Sequence, residues 1–105
     1  MSYSASKAAL GMIVKELAVE LAPKNIRVNG IAPGYVEGST RDGTQPHRFT
    51  PLLQTSIPAS YIGRSAVYLA SDHFSRYTTG AILKVDAGLS LYNHLLAQEP
   101  LESAP

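Results

Sequence analysis

The segment from Ser4 to Ala22 constrains this chain more than any other, because it reads as a helix with apolar side chains on two faces. Ala, Leu, Lys and Glu dominate it, it holds a single glycine, and Pro23 stops it, which predicts a helix. Leu10, Ile13, Val14, Leu17 and Leu21 recur at three and four residues and form a broad stripe suited to packing on a sheet. Ala5, Ala8, Met12 and Val19 fall on the other side, where mostly small side chains admit a second helix. A helix covered on both faces belongs in a layered protein or at an interface between copies.

The rest of the chain supplies strands for that helix to cover. Asn25 begins a turn, and Ile26 to Ala32 (IRVNGIA) reads as a buried strand closed by Pro33 and Gly34. Gly38 to Thr55 has Gly, Pro, Ser and Thr without a sustained period, so residues 38–57 are expected to form a substrate loop or lid, with a helical turn near Leu52 and Leu53. A second helix opens at Pro58 or Ser60 and runs to about Ser71, with Ile62, Ala66, Leu69 and Ala70 inward and Asp72 capping or ending it. Thr79 to Val85 is a second strand, ended by Asp86, Ala87 and Gly88, and residues 92–105 read as a polar tail. Helix, strand, loop, helix, strand is the order of a right-handed crossover between parallel strands, an α/β arrangement. Two strands are too few for a stable parallel sheet, so residues 1–91 are expected to be incomplete as a stand-alone domain.

Composition bounds function mainly by exclusion. A chain of 105 residues allows one small domain, and a net charge of +1 with 16% charged residues gives no field for nucleic acid. There is no cysteine, which removes disulfides and thiolate chemistry and fits the cytoplasm. No apolar run approaches the roughly 20 residues of a membrane helix, so no membrane partner is expected. His47, His73 and His94 lack metal-ligand spacing, and no metal is expected. Tyr35, Tyr61, Tyr68, Tyr77 and Tyr92 are expected to pack rather than react, Arg27 to point to solvent, and Asn29 to bond local backbone.

In a parallel α/β layer each crossover helix starts at the carboxyl edge of the sheet, where the strands end. Tyr3 and Lys7, Pro33 and Gly34, and Asp86 to Gly88 are thereby expected at one rim, the usual place for ligands. Tyr3 and Lys7 are four apart and share a helix face. An ammonium beside a phenol favours the phenolate, as a tyrosine acting as general acid/base requires. A solvated lysine packed over a tyrosine ring has the same spacing.

The segment YSASKAAL resembles the active-site helix of the short-chain dehydrogenase/reductase family, whose pattern of Tyr, three residues and Lys stands here as Tyr3, Ser4, Ala5, Ser6, Lys7. IRVNGIAPGYV, AVYLASD and TGAILKVDAG are similar to that family's next strand and turn, its following helix, and its last strand, in the family's order. The resemblance runs from Tyr3 to about Gly88 and implies the C-terminal portion of a Rossmann-type, doubly wound parallel sheet. It implies hydride transfer between NAD or NADP and an alcohol or carbonyl substrate. Tyr3 would move the proton at the substrate oxygen and Lys7 would bond the nicotinamide ribose. Pro33 and Gly34 would shape the turn against the cofactor, with Val36 near the nicotinamide carboxamide, so Tyr3, Lys7, Pro33, Gly34 and Val36 are the expected cofactor contacts.

Departures from the family pattern qualify this expectation. The chain contains no Gly-rich turn for the pyrophosphate, and the carbonyl-polarising serine would precede residue 1. Gly38 stands where the family often has Thr, the segment between Ile57 and Ala66 is shorter than usual, and Asp86, Ala87 and Gly88 replace Asp-Gly-Gly. These residues alone are therefore expected to be inactive. The alternative is a non-catalytic truncated chain that assembles through its first helix, which in this family commonly forms a subunit interface and implies a homo-oligomer.

Overall fold

A computed structural model describes residues 2–38, 52–53 and 55–93. Its elements are α1 (Ser2–Leu21), β1 (Gly30–Pro33), α2 (Ala59–Ala70), α3 (Asp72–Ser75) and β2 (Ile82–Val85), with 3-10 turns at Ala22–Lys24 and Leu89–Asn93. The chain forms two compact units, residues 1–32 with 64–83 and residues 33–63 with 84–105. The expected polar tail, apart from residues 92–93, and most of the expected lid, with His47 and His94, lie outside the described residues.

The strands are adjacent in a two-stranded sheet. Gly80 N–H donates to Val28 O, Gly30 N–H to Ala81 O and Gly34 N–H to Val85 O. Partners advance together along the chain, so the strands are parallel. The regular ladder is shorter than the expected strands Ile26–Ala32 and Thr79–Val85, and side chains explain why. Val28 N–H goes to Thr79 Oγ1 at 3.0 Å. Asn29 donates from Nδ2 to Thr78 O at 3.0 Å and accepts the Ala81 N–H on Oδ1 at 3.0 Å. An amide side chain thus stands in for main-chain pairing, and Asn29 bonds distant rather than local backbone.

Arg27 also departs from expectation. Its side chain is only 18% exposed, with Nη1 donating to Ser75 Oγ and Thr78 O at 3.2 Å each. Nη2 reaches Asp72 Oδ1 at 3.3 Å. Ser75 is buried, and its hydroxyl lies within 2.9 Å of the Tyr68, Leu69 and Ser71 carbonyls. Ser75 therefore serves carbonyls freed at the end of α2, while Arg27 donates to the Ser75 hydroxyl and to Thr78 O beyond α3. α2 ends at Ala70, and α3 begins at Asp72 with Ser71 as its N-cap, whose Oγ accepts the Phe74 N–H at 3.3 Å. Arg27→Ala is expected to lower stability by about 2 kcal/mol, whereas Asp72→Ala, which removes an exposed partner, should cost under about 0.5 kcal/mol. Urea unfolding of the two variants checks the contrast.

α1 starts at Ser2 and ends at Leu21, close to expectation, and the chain leaves it through Asn25 in the left-handed region at φ 60°. Among the described residues the buried hydrophobic ones are Ala18 and Ile57, one in each unit. Apolar side chains are exposed on both faces of α1, from Leu10 and Ile13 to Met12 and Val19, the last 77% exposed. On α2, Ile62 and Leu69 are half-buried while Ala66 and Ala70 are exposed, so its expected inner face is only partly covered. Tyr77, expected to pack, is 93% exposed. No helix among the described residues is long and apolar enough to cross a membrane.

Candidate acid/base and cofactor site

In the first unit, the backbone of Tyr3 lies in the first turn of α1 and Lys7 one turn further on, with the Lys7 side chain exposed. The remaining candidates, Pro33, Gly34 and Val36, belong to the second unit and follow one another off the end of β1. Gly34 lies against the start of the turn after β2. A Cβ built on it would come within 2.8 Å of Asp86 Cα and 2.9 Å of Asp86 Cβ. Its φ is not positive, so the position demands glycine for close approach of two backbones rather than for a turn conformation.

Past Gly34 the chain pairs once more. Val36 and Ile57 form a parallel bridge, in which Ile57 N–H donates to Tyr35 O at 2.8 Å and Glu37 N–H to Ile57 O at 2.9 Å. Backbone groups alternate sides along an extended chain, so the N–H and C=O of Val36 itself face the edge opposite Ile57. That edge carries one N–H and one C=O side by side. Ile57 was not foreseen as part of this arrangement. A single β-branched residue before Pro58 is a faint strand signal.

The end of β2 is fixed by its own side chain. Asp86 Oδ1 accepts the Gly88 N–H at 3.0 Å and Oδ2 the Ser90 N–H at 3.1 Å. Ala87 then takes φ 53° and Gly88 φ 86°. A left-handed alanine costs roughly 1–2 kcal/mol, which the Asp86 bonds offset. Burial pushes the Asp86 carboxyl up, but hydrogen bonds from Ser90 and Gly88 and the charge of Lys84 outweigh it and hold the group below its ordinary 3.8. A lowered carboxyl stabilises the fold above its unfolded value, and that contribution is lost as pH falls through the folded one. Asp86→Asn should therefore differ most from the parent at neutral pH, with the gap in unfolding free energy closing below pH 3.8.

Beside this turn, a mostly apolar cavity of about 530 Å³ is lined by residues 53, 55–58 and 84–88, with Tyr61 and Lys84 on its wall. Among the described residues no group of three or more His, Asp or Glu could hold a metal ion.

The family of enoyl-(acyl carrier protein) reductases matches residues 1–90. The chain is 40% identical over 100 residues to 3β-hydroxysteroid dehydrogenase 1 of Eggerthella lenta, covering 86% of this chain and 37% of that protein. It is 39% identical over 95 residues to D-arabinitol 2-dehydrogenase (ribulose-forming) of Candida tropicalis, covering 82% and 33%. Among solved structures, acetoin dehydrogenase from Salmonella typhimurium superposes with a TM-score of 0.69 at 35% identity, over 85% of this chain and 35% of that one. A 4-hydroxyisoleucine dehydrogenase complexed with NADH gives 0.68 at 32% identity, over 82% and 38%. The chain belongs to the short-chain dehydrogenase/reductase family and carries part of its Rossmann-like fold. It spans about a third of the length of the two curated relatives, 37% of one and 33% of the other.

Proposed function

We propose that this chain is the C-terminal part of an oxidoreductase that moves a hydride between NAD or NADP and a small alcohol or carbonyl compound, with residues 1–91 belonging to its Rossmann-type domain. The observation that carries the proposal is the Tyr3-to-Lys7 spacing at the start of α1, inside a family match that runs through residue 90. Bound nicotinamide supplies or accepts the hydride. Tyr3 gives or takes the proton at the substrate oxygen, and Lys7 holds the cofactor ribose and favours the tyrosine anion. The N–H and C=O of Val36 point away from Ile57 and suit the carboxamide as donor and acceptor. Pro33 and Gly34 set the path of that backbone. The NADH bound in the 4-hydroxyisoleucine dehydrogenase supports a nicotinamide cofactor.

A panel of secondary alcohols supplied with NAD or NADP tests the reading. Nucleotide reduction with at least one alcohol is expected of the protein that joins this segment to a Gly-rich phosphate turn, and none with any alcohol would overturn it. A second reading, a non-catalytic chain that persists by pairing through α1, is favoured by the exposed Met12 and Val19. On that reading, calorimetric titration of these 105 residues finds no NADH or NADPH binding and sedimentation finds a dimer or larger species.

A further inference from the structure

Asn29 precedes Gly30, the dipeptide in which asparagine is chemically least protected, because glycine puts no side chain in the way of its own nitrogen. The glycine is there for packing. A Cβ at Gly30 would lie 3.0 Å from Ile82 Cδ1 and 3.4 Å from Val14 Cγ2, so a side chain there would crowd the tip of Ile82. The glycine that eases this packing also leaves the Asn29–Gly30 bond labile.

The same fold restrains the reaction. Ring closure needs the Gly30 nitrogen, stripped of its proton, to attack Asn29 Cγ. The Gly30 N–H is held on Ala81 O at 2.9 Å. Asn29 Nδ2 is held on Thr78 O and Oδ1 on the Ala81 N–H, each at 3.0 Å. All of these partners lie in residues 78–81, which Thr79 Oγ1 ties to Val28 N–H.

We propose that Asn29 is a deamidation site gated by residues 78–81: closed while that segment is paired, reactive when it peels away. On opening, the Gly30 N–Cγ bond forms, the Cγ–Nδ2 bond breaks, and ammonia leaves carrying the amide proton. Water then opens the cyclic imide at either carbonyl, leaving aspartate or isoaspartate. Either product replaces the donor to Thr78 O with a carboxylate oxygen, which repels it, so the segment does not close again as before. The reaction is a one-way record of local opening.

Peptide mapping of the protein aged at mildly alkaline pH, in buffer and in denaturing urea, tests the gate. Conversion at Asn29 is expected to be at least about tenfold faster in urea, with Asn25, which precedes β-branched Ile26, unconverted in both. Thr79→Val should raise the buffer rate and leave the urea rate unchanged, while Thr79→Ser, which keeps the hydroxyl, retains the parent rate. Equal rates in buffer and urea overturn the proposal, as does a Thr79→Val protein that retains its helical circular dichroism and converts no faster than the parent.

Discussion

Tyr3→Phe is expected to reduce turnover by about 10²–10⁴-fold, the usual contribution of a positioned general acid/base. The substitution removes one hydroxyl and keeps the ring, so helix formation and packing at the start of α1 have little reason to change. Nucleotide affinity should stay within a few-fold of the parent, because Lys7 and the Val36 backbone remain. A fall in kcat and kcat/KM together, with nucleotide dissociation unaltered, is the pattern of a group that acts in the transition state. Lost nucleotide binding with the same turnover at saturation would instead make Tyr3 a binding residue, and an unchanged rate would remove it from the chemistry.

Gly34→Ala carries the second large effect, and its cause lies in the close approach of two strand ends. The new methyl would meet Asp86 Cα at 2.8 Å and Asp86 O at 3.0 Å, and backbone atoms cannot swing aside as a flexible side chain can. Forcing a methyl into such a contact costs about 3 kcal/mol. Relief requires the 33–36 turn to move away from Asp86, which shifts the Val36 backbone and should weaken nucleotide binding in parallel. Gly38→Ala is the control: it has φ 78° and open space around it, so it should cost only about 1 kcal/mol from the backbone. Urea midpoints of the two variants separate crowding from conformation, and a Gly34→Ala protein as stable as the parent would contradict the close approach.

The order helix, strand, loop, helix, strand was legible in the sequence because it rests on local signals. The run from Ser4 to Ala22 has a helical period and a stop at Pro23, and TGAILKV has a strand's composition between turn residues. The errors arose where a side chain's partner is remote. Arg27 looked like a surface charge, but its acceptors lie 45 to 51 residues away, which no local pattern reveals. The strands were drawn too long because Asn29 and Thr79 contribute side-chain bonds where a ladder was expected. The short helix α3 is not visible in the sequence either: it starts at Asp72, directly after the end of α2, and is capped by Ser71.

The candidate site divides in the same way. Gly34 was singled out for a cofactor-facing role, and the structure adds an independent reason for a glycine there, the backbone of Asp86. Val36 was named through the family resemblance alone, and the structure adds its parallel bridge to Ile57, which no local sequence pattern reveals. The change from Asp-Gly-Gly to Asp86, Ala87, Gly88 looked mild and is mild in outline. It nonetheless puts an alanine at φ 53°, held by the bonds of its neighbouring carboxylate.

Hydride transfer can be traced most directly with a reduced nucleotide carrying deuterium at both positions of the reactive carbon of the nicotinamide ring. Mixed with the protein and a ketone that it turns over, the labelled cofactor should pass deuterium to the carbinol carbon of the product alcohol, and the Tyr3→Phe protein should do so at a rate lower by about 10²–10⁴-fold. An alcohol product free of deuterium at that carbon would contradict the assignment.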